Sequence, residues 1–164
     1  RFVEEMCKLR AMTALWEEIG RERYGIRDEK ALRVRYGVQV NSLGLTEAQP
    51  ENNIVRIALE ALGVTLSQRA RARSLQLPAW NEAHGLPRAG AQPLCLRTQQ
   101  ILAYETGVAA VADPLGGPYF VEALTDATEA RIVEIMADLE QHGGMVSAIE
   151  DGYLQGLIAD EAYK

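Results

Sequence analysis

Three segments carry the side chains worth weighing as chemistry. The first is Gln39-Val-Asn-Ser-Leu-Gly-Leu-Thr-Glu-Ala-Gln-Pro-Glu-Asn-Asn-Ile-Val-Arg56. The second is Ser74-Leu-Gln-Leu-Pro-Ala-Trp-Asn-Glu-Ala-His-Gly-Leu-Pro87, and the third is Ala112-Asp-Pro-Leu-Gly-Gly-Pro-Tyr-Phe-Val-Glu-Ala-Leu-Thr-Asp126. Gln39 offers a neutral amide that both donates and accepts, and Glu82 a carboxylate that only accepts. Glycine and serine between Asn41 and Gly44 permit close backbone approach. Other chemistries are not supported. Glu47, Glu51 and Glu60 show no close pairing for hydrolytic acid–base work. No phosphate-cradling loop or nucleotide-binding glycine fingerprint is present. His84 and His142 are too few for a histidine-based metal site without distant partners, so no metal ligand is assigned. Cys7 and Cys95 sit in apolar contexts and cannot build a disulfide scaffold, which suits a reducing, cytoplasmic location.

The 164 residues are 48% apolar and 24% charged, with a net charge of −6. That length suits one globular domain or a piece of a larger one. No apolar run approaches the ~20 residues of a membrane-spanning helix. Seventeen basic against 23 acidic residues leave no electrostatic footprint for nucleic acid. The chain starts at Arg1 inside an amphipathic pattern and stops inside another, so both ends read as cut.

Periodicity predicts helices over 1–20, 51–66 and 93–106, a turn of helix near 80–84, a long helix over 119–141 and short helices beyond. Strands are expected at 32–40 and 73–77. Phe2, Met6, Leu9, Thr13 and Trp16 mark the expected inner stripe of the first helix. In the second helix Ile54, Ala58, Ala61 and Thr65 form one stripe, with Val55, Leu59, Leu62 and Leu66 beside it. Leu124, Thr128, Ile132, Ile135 and Leu139 mark the long helix, and Gly143-Gly144 its C-cap. The element order argues for βα units with parallel strands. Yet Leu32, Val34, Tyr36, Val38 and Val40 alternate with Arg33, Arg35, Gly37, Gln39 and Asn41, and Leu75 and Leu77 alternate with Ser74, Gln76 and Pro78. A half-solvated antiparallel strand or a parallel barrel with a ligand-filled polar interior would both read this way. Periodicity alone does not decide between them.

Together the three segments resemble the catalytic domain of the adenosylcobalamin-dependent acyl-CoA mutases, the methylmalonyl-CoA mutase family. Lys8-Leu-Arg-Ala11 with Trp16, and Glu140-Gln-His-Gly-Gly-Met145, are similar to the family's flanking helices, so the resemblance runs through essentially the whole chain. It implies an α/β fold, the C-terminal part of a (β/α)8 TIM barrel followed by wrapping helices and helix-rich overall. Residues 1–112 would be late βα units of the barrel. Residues 113–164 would be the helical segment that follows it within the same domain. A TIM barrel closes with eight βα units and typically takes ~250 residues, so the chain would be a fragment. The family's pantetheine arm threads the barrel axis past small and polar side chains, which favours the ligand-filled barrel over the antiparallel strand.

The resemblance also implies roles. Gln39 matches the glutamine that contacts substrate near the thioester carbonyl. Asn41 and Ser42 match a segment beside the adenosyl group, and Gln76 is counted with them among the residues expected to bind the cofactor. Glu82 and Ala83 match a Glu-Ala pair in which the carboxylate holds the adenosyl ribose, and Leu86 would pack near the same cofactor. The implied reaction is a radical carbon-skeleton isomerisation of a branched acyl-CoA, with adenosylcobalamin as cofactor. Implied partners are the acyl-CoA, the missing earlier half of the barrel, a cobalamin-binding domain on the same chain or a partner subunit, and a dimeric assembly.

Departures matter as well. Where the family often has histidine, this chain has Gly37, and His84 stands where leucine is usual. The family's substrate-flanking tyrosine and histidine are not carried over to Tyr36 or His84. The Gln76-Leu-Pro-Ala-Trp-Asn-Glu-Ala83 segment is similar to ethylmalonyl-CoA mutases, whereas the third segment resembles the methylmalonyl and isobutyryl branch. The acyl group therefore stays open. Arg69, Arg71 and Arg73 are a solvated loop or a basic run that steers anionic coenzyme A. The other class kept open is a non-catalytic, mutase-like accessory subunit used for assembly.

Overall fold

Glu4 and Glu5 near the start of α1 (Phe2–Glu22), and Arg21 near its end, complement the helix dipole. The computed structural model describes residues 2–87 and 89–162. The described helix buries Met6, Cys7, Arg10, Ala11, Thr13 and Leu15. Met6 and Thr13 of the expected stripe lie on this face, but its ends do not, for Phe2 and Trp16 are exposed at 42% and 52% while Arg10 is 3% exposed. An arginine scores as polar in any hydrophobic pattern, so its burial was invisible there.

Strands β1 (Gly37–Gln39) and β2 (Ser74–Gln76) pair in parallel, with Gly37 opposite Ser74, Val38 opposite Leu75 and Gln39 opposite Gln76. Bonds from the Arg73 N–H to the Tyr36 carbonyl (2.9 Å) and from the Val40 N–H to the Gln76 carbonyl (3.1 Å) continue the ladder at both ends. Parallel pairing excludes the simple antiparallel reading of the alternation. The ladder is shorter than the expected 32–40, because residues 32–35 have no ladder partner among the described residues. Leu32 and Val34 are nevertheless buried. The apolar alternation reported burial, not pairing.

A parallel pair needs a long crossover, and α2 (Asn52–Thr65) supplies it. Its buried residues are Asn53, Ile57, Ala61 and Gly63. Of the expected stripes only Ala61 is fully buried, and Val55 and Leu59 are more than half exposed. This helix is apolar over more of its circumference than its neighbours cover, so hydrophobicity alone did not choose the inner side. At Gly63 a Cβ would stand 2.7 Å from Cε2 of Phe2, which is why α1 and α2 can lie so close there. Helix α3 (Ala91–Tyr104) buries Ala91, Cys95, Thr98 and Leu102. Val40, Ile57, Ala61, Leu77, Cys95 and Leu102 make one core under the sheet. Met6, Cys7 and Val121 make a second between α1 and the start of α4 (Tyr119–Gln141).

Buried Arg10 fastens the Asp113–Pro118 turn. Its Nη2 donates to Glu122 Oε1 at 2.7 Å, and its Nη1 reaches Ser67 Oγ and the Leu115 carbonyl, each at 3.4 Å. The Gly117 N–H donates to the same Glu122 oxygen at 2.7 Å. Arg69 bonds the other oxygen at 3.2 Å, so the first member of the basic run has a partner within the chain.

The chain divides into two compact units, Arg1–Thr125 and Asp126–Lys164. The second holds the rest of α4 with α5 (Met145–Glu150) and α6 (Tyr153–Ala162). Gly143 and Gly144 end α4 as expected. The Gly144 N–H reaches the Leu139 carbonyl (2.9 Å) and the Gly143 N–H that of Glu140 (3.1 Å), the paired bonds of a Schellman motif. His142 stacks on Tyr153 at 3.8 Å, and the Tyr153 hydroxyl donates to Asp138 Oδ2 at 2.5 Å. Among the described residues no helix is long and apolar enough to cross a membrane.

Candidate functional site

Parallel strands bring their C-terminal ends to one edge. Here that edge receives Gln39 with the segment after it, and Gln76 with the segment that leads to Glu82. Directly opposed residues in a sheet share a face. Gln39 and Gln76 therefore stand together on one face, with Gly37 and Ser74 one pleat behind. All four are exposed, and neither glutamine amide has a hydrogen-bond partner among the described residues. A Cβ at Gly37 would collide with Ser74 Oγ, so this part of the face is narrow. Tyr36 belongs to the opposite face. Its hydroxyl donates to the Ala70 carbonyl, and burial raises it above its ordinary value.

The segment after β1 begins with an Asx turn, in which Asn41 Oδ1 accepts the Leu43 N–H at 2.9 Å. The half-buried Ser42 accepts the Leu45 N–H on its carbonyl at 3.2 Å. Leu43 is 95% exposed at the tip. After β2 the chain passes through buried Leu77, Pro78, Ala79 and Asn81 into a 3₁₀ turn, Glu82–His84. The Glu82 N–H donates to the Ala79 carbonyl at 2.9 Å, while its carboxylate is exposed and makes no hydrogen bond among the described residues. Ala83 is half-buried beside it, and Leu86 is almost fully exposed. Cys95 Sγ lies 3.2 Å from the Pro78 carbonyl. Burial, and then the Glu82 charge, push that thiol up, in keeping with its place in the core.

The structure thus brings Gln39 next to Gln76, with Asn41, Ser42, Glu82, Ala83 and Leu86 on the two segments at the same sheet edge. Sequence reasoning overlooked what holds those segments. Asn53 is fully buried, and its amide bonds both of them. The available signal was an asparagine, a weak helix former, inside the first turn of an apolar helix. His84 is exposed, and among the described residues its one hydrogen bond runs from its backbone N–H to the Asn81 carbonyl. Among the described residues no group of three or more His, Cys, Asp or Glu side chains is placed to hold a metal ion. A cavity of about 680 Å³ opens at the other end of β2, among Gln68, Arg71, Ser74, Gln99, Leu102 and Val108. It is not where the matched residues gather.

Comparison with known proteins agrees with the motifs. The family model for methylmalonyl-CoA mutase matches residues 1–164. An ethylmalonyl-CoA mutase of Cereibacter sphaeroides is 56% identical over 150 residues, covering 92% of this chain and 23% of its own length. The 2-hydroxyisobutanoyl-CoA mutase large subunit of Aquincola tertiaricarbonis is 43% identical over 163 residues, covering 99% of this chain and 28% of that protein. The human mitochondrial methylmalonyl-CoA mutase is 34% identical over 151 residues, covering 92% of this chain and 20% of that protein. The chain thus spans about a quarter of the length of these relatives. It belongs to the methylmalonyl-CoA mutase family.

Proposed function

We propose that the protein carrying this chain is an adenosylcobalamin-dependent acyl-CoA mutase, and that residues 1–164 are the later part of its catalytic barrel. On this reading residues 1–112 are late βα units and residues 113–164 the helices that follow. The carrying observation is the register of Gln39 against Gln76. Two amides with no hydrogen-bond partner among the described residues stand on one polar face at the C-terminal ends of parallel strands, where barrel enzymes place their chemistry. Barrel interiors are ordinarily packed with aliphatic side chains. A face of Gly37, Gln39, Ser74 and Gln76 suits a polar ligand instead.

The residues present fit the cofactor's adenosyl end. Glu82 offers an exposed carboxylate free to accept two ribose hydroxyls, and Ala83 and Leu86 offer apolar surface next to it. Asn41 uses its carbonyl oxygen for its own turn, leaving its amide nitrogen, with Ser42, to face the nucleoside. When bound, adenosylcobalamin supplies the radical that abstracts hydrogen from the substrate. The chain's own work is positional. Gln39 donates its amide N–H to the thioester carbonyl and fixes its direction while adding no charge, and Gln76 beside it is a cofactor contact. The substrate is a branched acyl-CoA of the methylmalonyl, ethylmalonyl or isobutyryl type. The cobalamin domain, the earlier barrel half and a second subunit lie outside this chain. Two buried free thiols, Cys7 and Cys95, suit a cytoplasmic protein.

The test is turnover of methylmalonyl-, ethylmalonyl- and isobutyryl-CoA by the intact protein with adenosylcobalamin, beside its Gln39→Ala variant. Gln39→Ala should lower kcat while cofactor affinity stays within about twofold. Equal turnover by the variant would remove Gln39 from the site. No turnover of any of the three by the unsubstituted protein would favour an accessory, assembly-only role.

A further inference from the structure

The two site segments are far apart in sequence and do not stabilise each other through regular structure, yet both depend on one side chain. Asn53, in the first turn of α2, has 0% exposure. Its Oδ1 accepts the Thr46 N–H at 3.1 Å and Arg56 Nη1 at 2.8 Å. Its Nδ2 donates to the Thr46 carbonyl at 2.9 Å and to the Trp80 carbonyl at 2.9 Å. An amide can accept two bonds and donate two, and here all four are made. Thr46 belongs to the segment after Gln39, and Trp80 stands two residues before Glu82. Arg56, one turn along the helix, also reaches Thr46 Oγ1 at 3.3 Å.

We infer that Asn53 is a positioning residue of the site, a buried latch that sets the Gln39 segment and the Glu82 segment at one fixed spacing. The inference rests on the mutase reading of this sheet edge. Residues 40–51 lack helix or strand, so their backbone groups need other partners when buried. Asn53 supplies both a donor and an acceptor to Thr46, holding that segment as a strand neighbour would. Its second N–H then ties the same point to Trp80, whose ring packs on the core. Displacing either segment leaves a buried amide atom unsatisfied, so the two are tied to the same helix through one group. No aliphatic residue of similar size can do this, and an aspartate can do only the accepting half.

The test compares the intact protein loaded with adenosylcobalamin with its Asn53→Asp and Asn53→Leu variants. Aspartate keeps the acceptor for Thr46 and Arg56 but faces two carbonyls with no proton to give. Leucine removes all four bonds. Hydrogen–deuterium exchange should rise about 10-fold or more in peptides over 77–85 for Asn53→Asp, and over both 41–51 and 77–85 for Asn53→Leu. Peptides from α1 should keep their protection. Misplacement of a site by ~1 Å can cost about 10²-fold in rate, so kcat should fall between about 10- and 100-fold while KM for the acyl-CoA moves less than about threefold. Unchanged exchange in 77–85 for Asn53→Asp overturns the inference. So does exchange raised equally in α1, which is the mark of a plain core residue, and so do loosened segments with unaltered kcat. Should the unsubstituted protein turn over no acyl-CoA, the mutase reading fails on its own. The exchange measurements then still decide whether Asn53 holds the two segments together.

Discussion

Replacing Arg10 by methionine keeps an unbranched apolar stem in the core while removing the charge and every donor. The guanidinium is 3% exposed and makes one strong bond, to Glu122 Oε1 at 2.7 Å, with two weaker ones at 3.4 Å to Ser67 Oγ and the Leu115 carbonyl. Breaking a buried ion pair by removing one partner costs about 3–5 kcal/mol. Glu122 is 31% exposed at its side chain, retains the Gly117 N–H and keeps Arg69 on its other oxygen, so the loss lies at or below the lower end of that range. About 3 kcal/mol is roughly a 10²-fold change in an opening equilibrium. Arg69, 63% exposed at its side chain, serves as the contrast. Exposed pairs contribute about 0–1 kcal/mol, so Arg69→Ala should change little. The assay is native-state hydrogen exchange resolved over residues 113–122. Arg10→Met should speed exchange there about 10²-fold, and Arg69→Ala less than about fivefold, with the Val40 and Arg73 amides unchanged in both. If Arg69→Ala matched Arg10→Met, or if Arg10→Met left 113–122 protected, burial would not be what gives this network its strength.

The Gly117 N–H, and then Arg10, hold the Glu122 carboxyl below its ordinary value of 4.5. A carboxyl lowered on folding adds stability above its unfolded value and loses it as pH falls through the folded one. Protection at 113–122 should therefore decline below about pH 4.5, and Glu122→Gln should remove that step; an unchanged step would assign it to another group. Gly144 sits at φ 90°, ψ 178°, a region only glycine enters freely, with nothing within 4 Å of a Cβ. Gly144→Ala should cost about 1–3 kcal/mol through the backbone alone, seen as faster exchange at the Gly143 and Gly144 amides, and unaltered rates there would contradict it. Glu82→Ala should raise the dissociation constant for adenosylcobalamin about 10- to 100-fold, the worth of one or two hydrogen bonds to a charged group, in a spectrophotometric titration. Unchanged affinity would take Glu82 out of the cofactor site.

Much of this protein was legible as a string of residues. The helices over 2–22, 52–65, 91–104 and 119–141 lie within a few residues of where apolar spacing put them, because spacing along a helix is a local property. Gly143-Gly144 announced its Schellman cap for the same reason. The mutase family was legible too, through contiguous motifs such as Gln76-Leu-Pro-Ala-Trp-Asn-Glu-Ala83.

What stayed hidden depends on pairing across long separations. Alternation in 32–40 described one buried face but could not tell a parallel from an antiparallel neighbour, since both expose every second residue. Only the ladder, with Gln39 opposite Gln76, decided it and placed two amides side by side. Apolar residues all around α2 could not say which stripe turns inward, and a polar residue, Asn53, lies on the buried one. Arg10 and Asn53 were passed over for one shared reason. Hydrophobicity ranks a side chain by its cost of leaving water, whereas a buried polar group is decided by partners 57 to 112 positions away for Arg10, and by Thr46 and Trp80 for Asn53. Local composition sets which elements form; the partners that make burial of charge and amide tolerable exist only once the chain has folded.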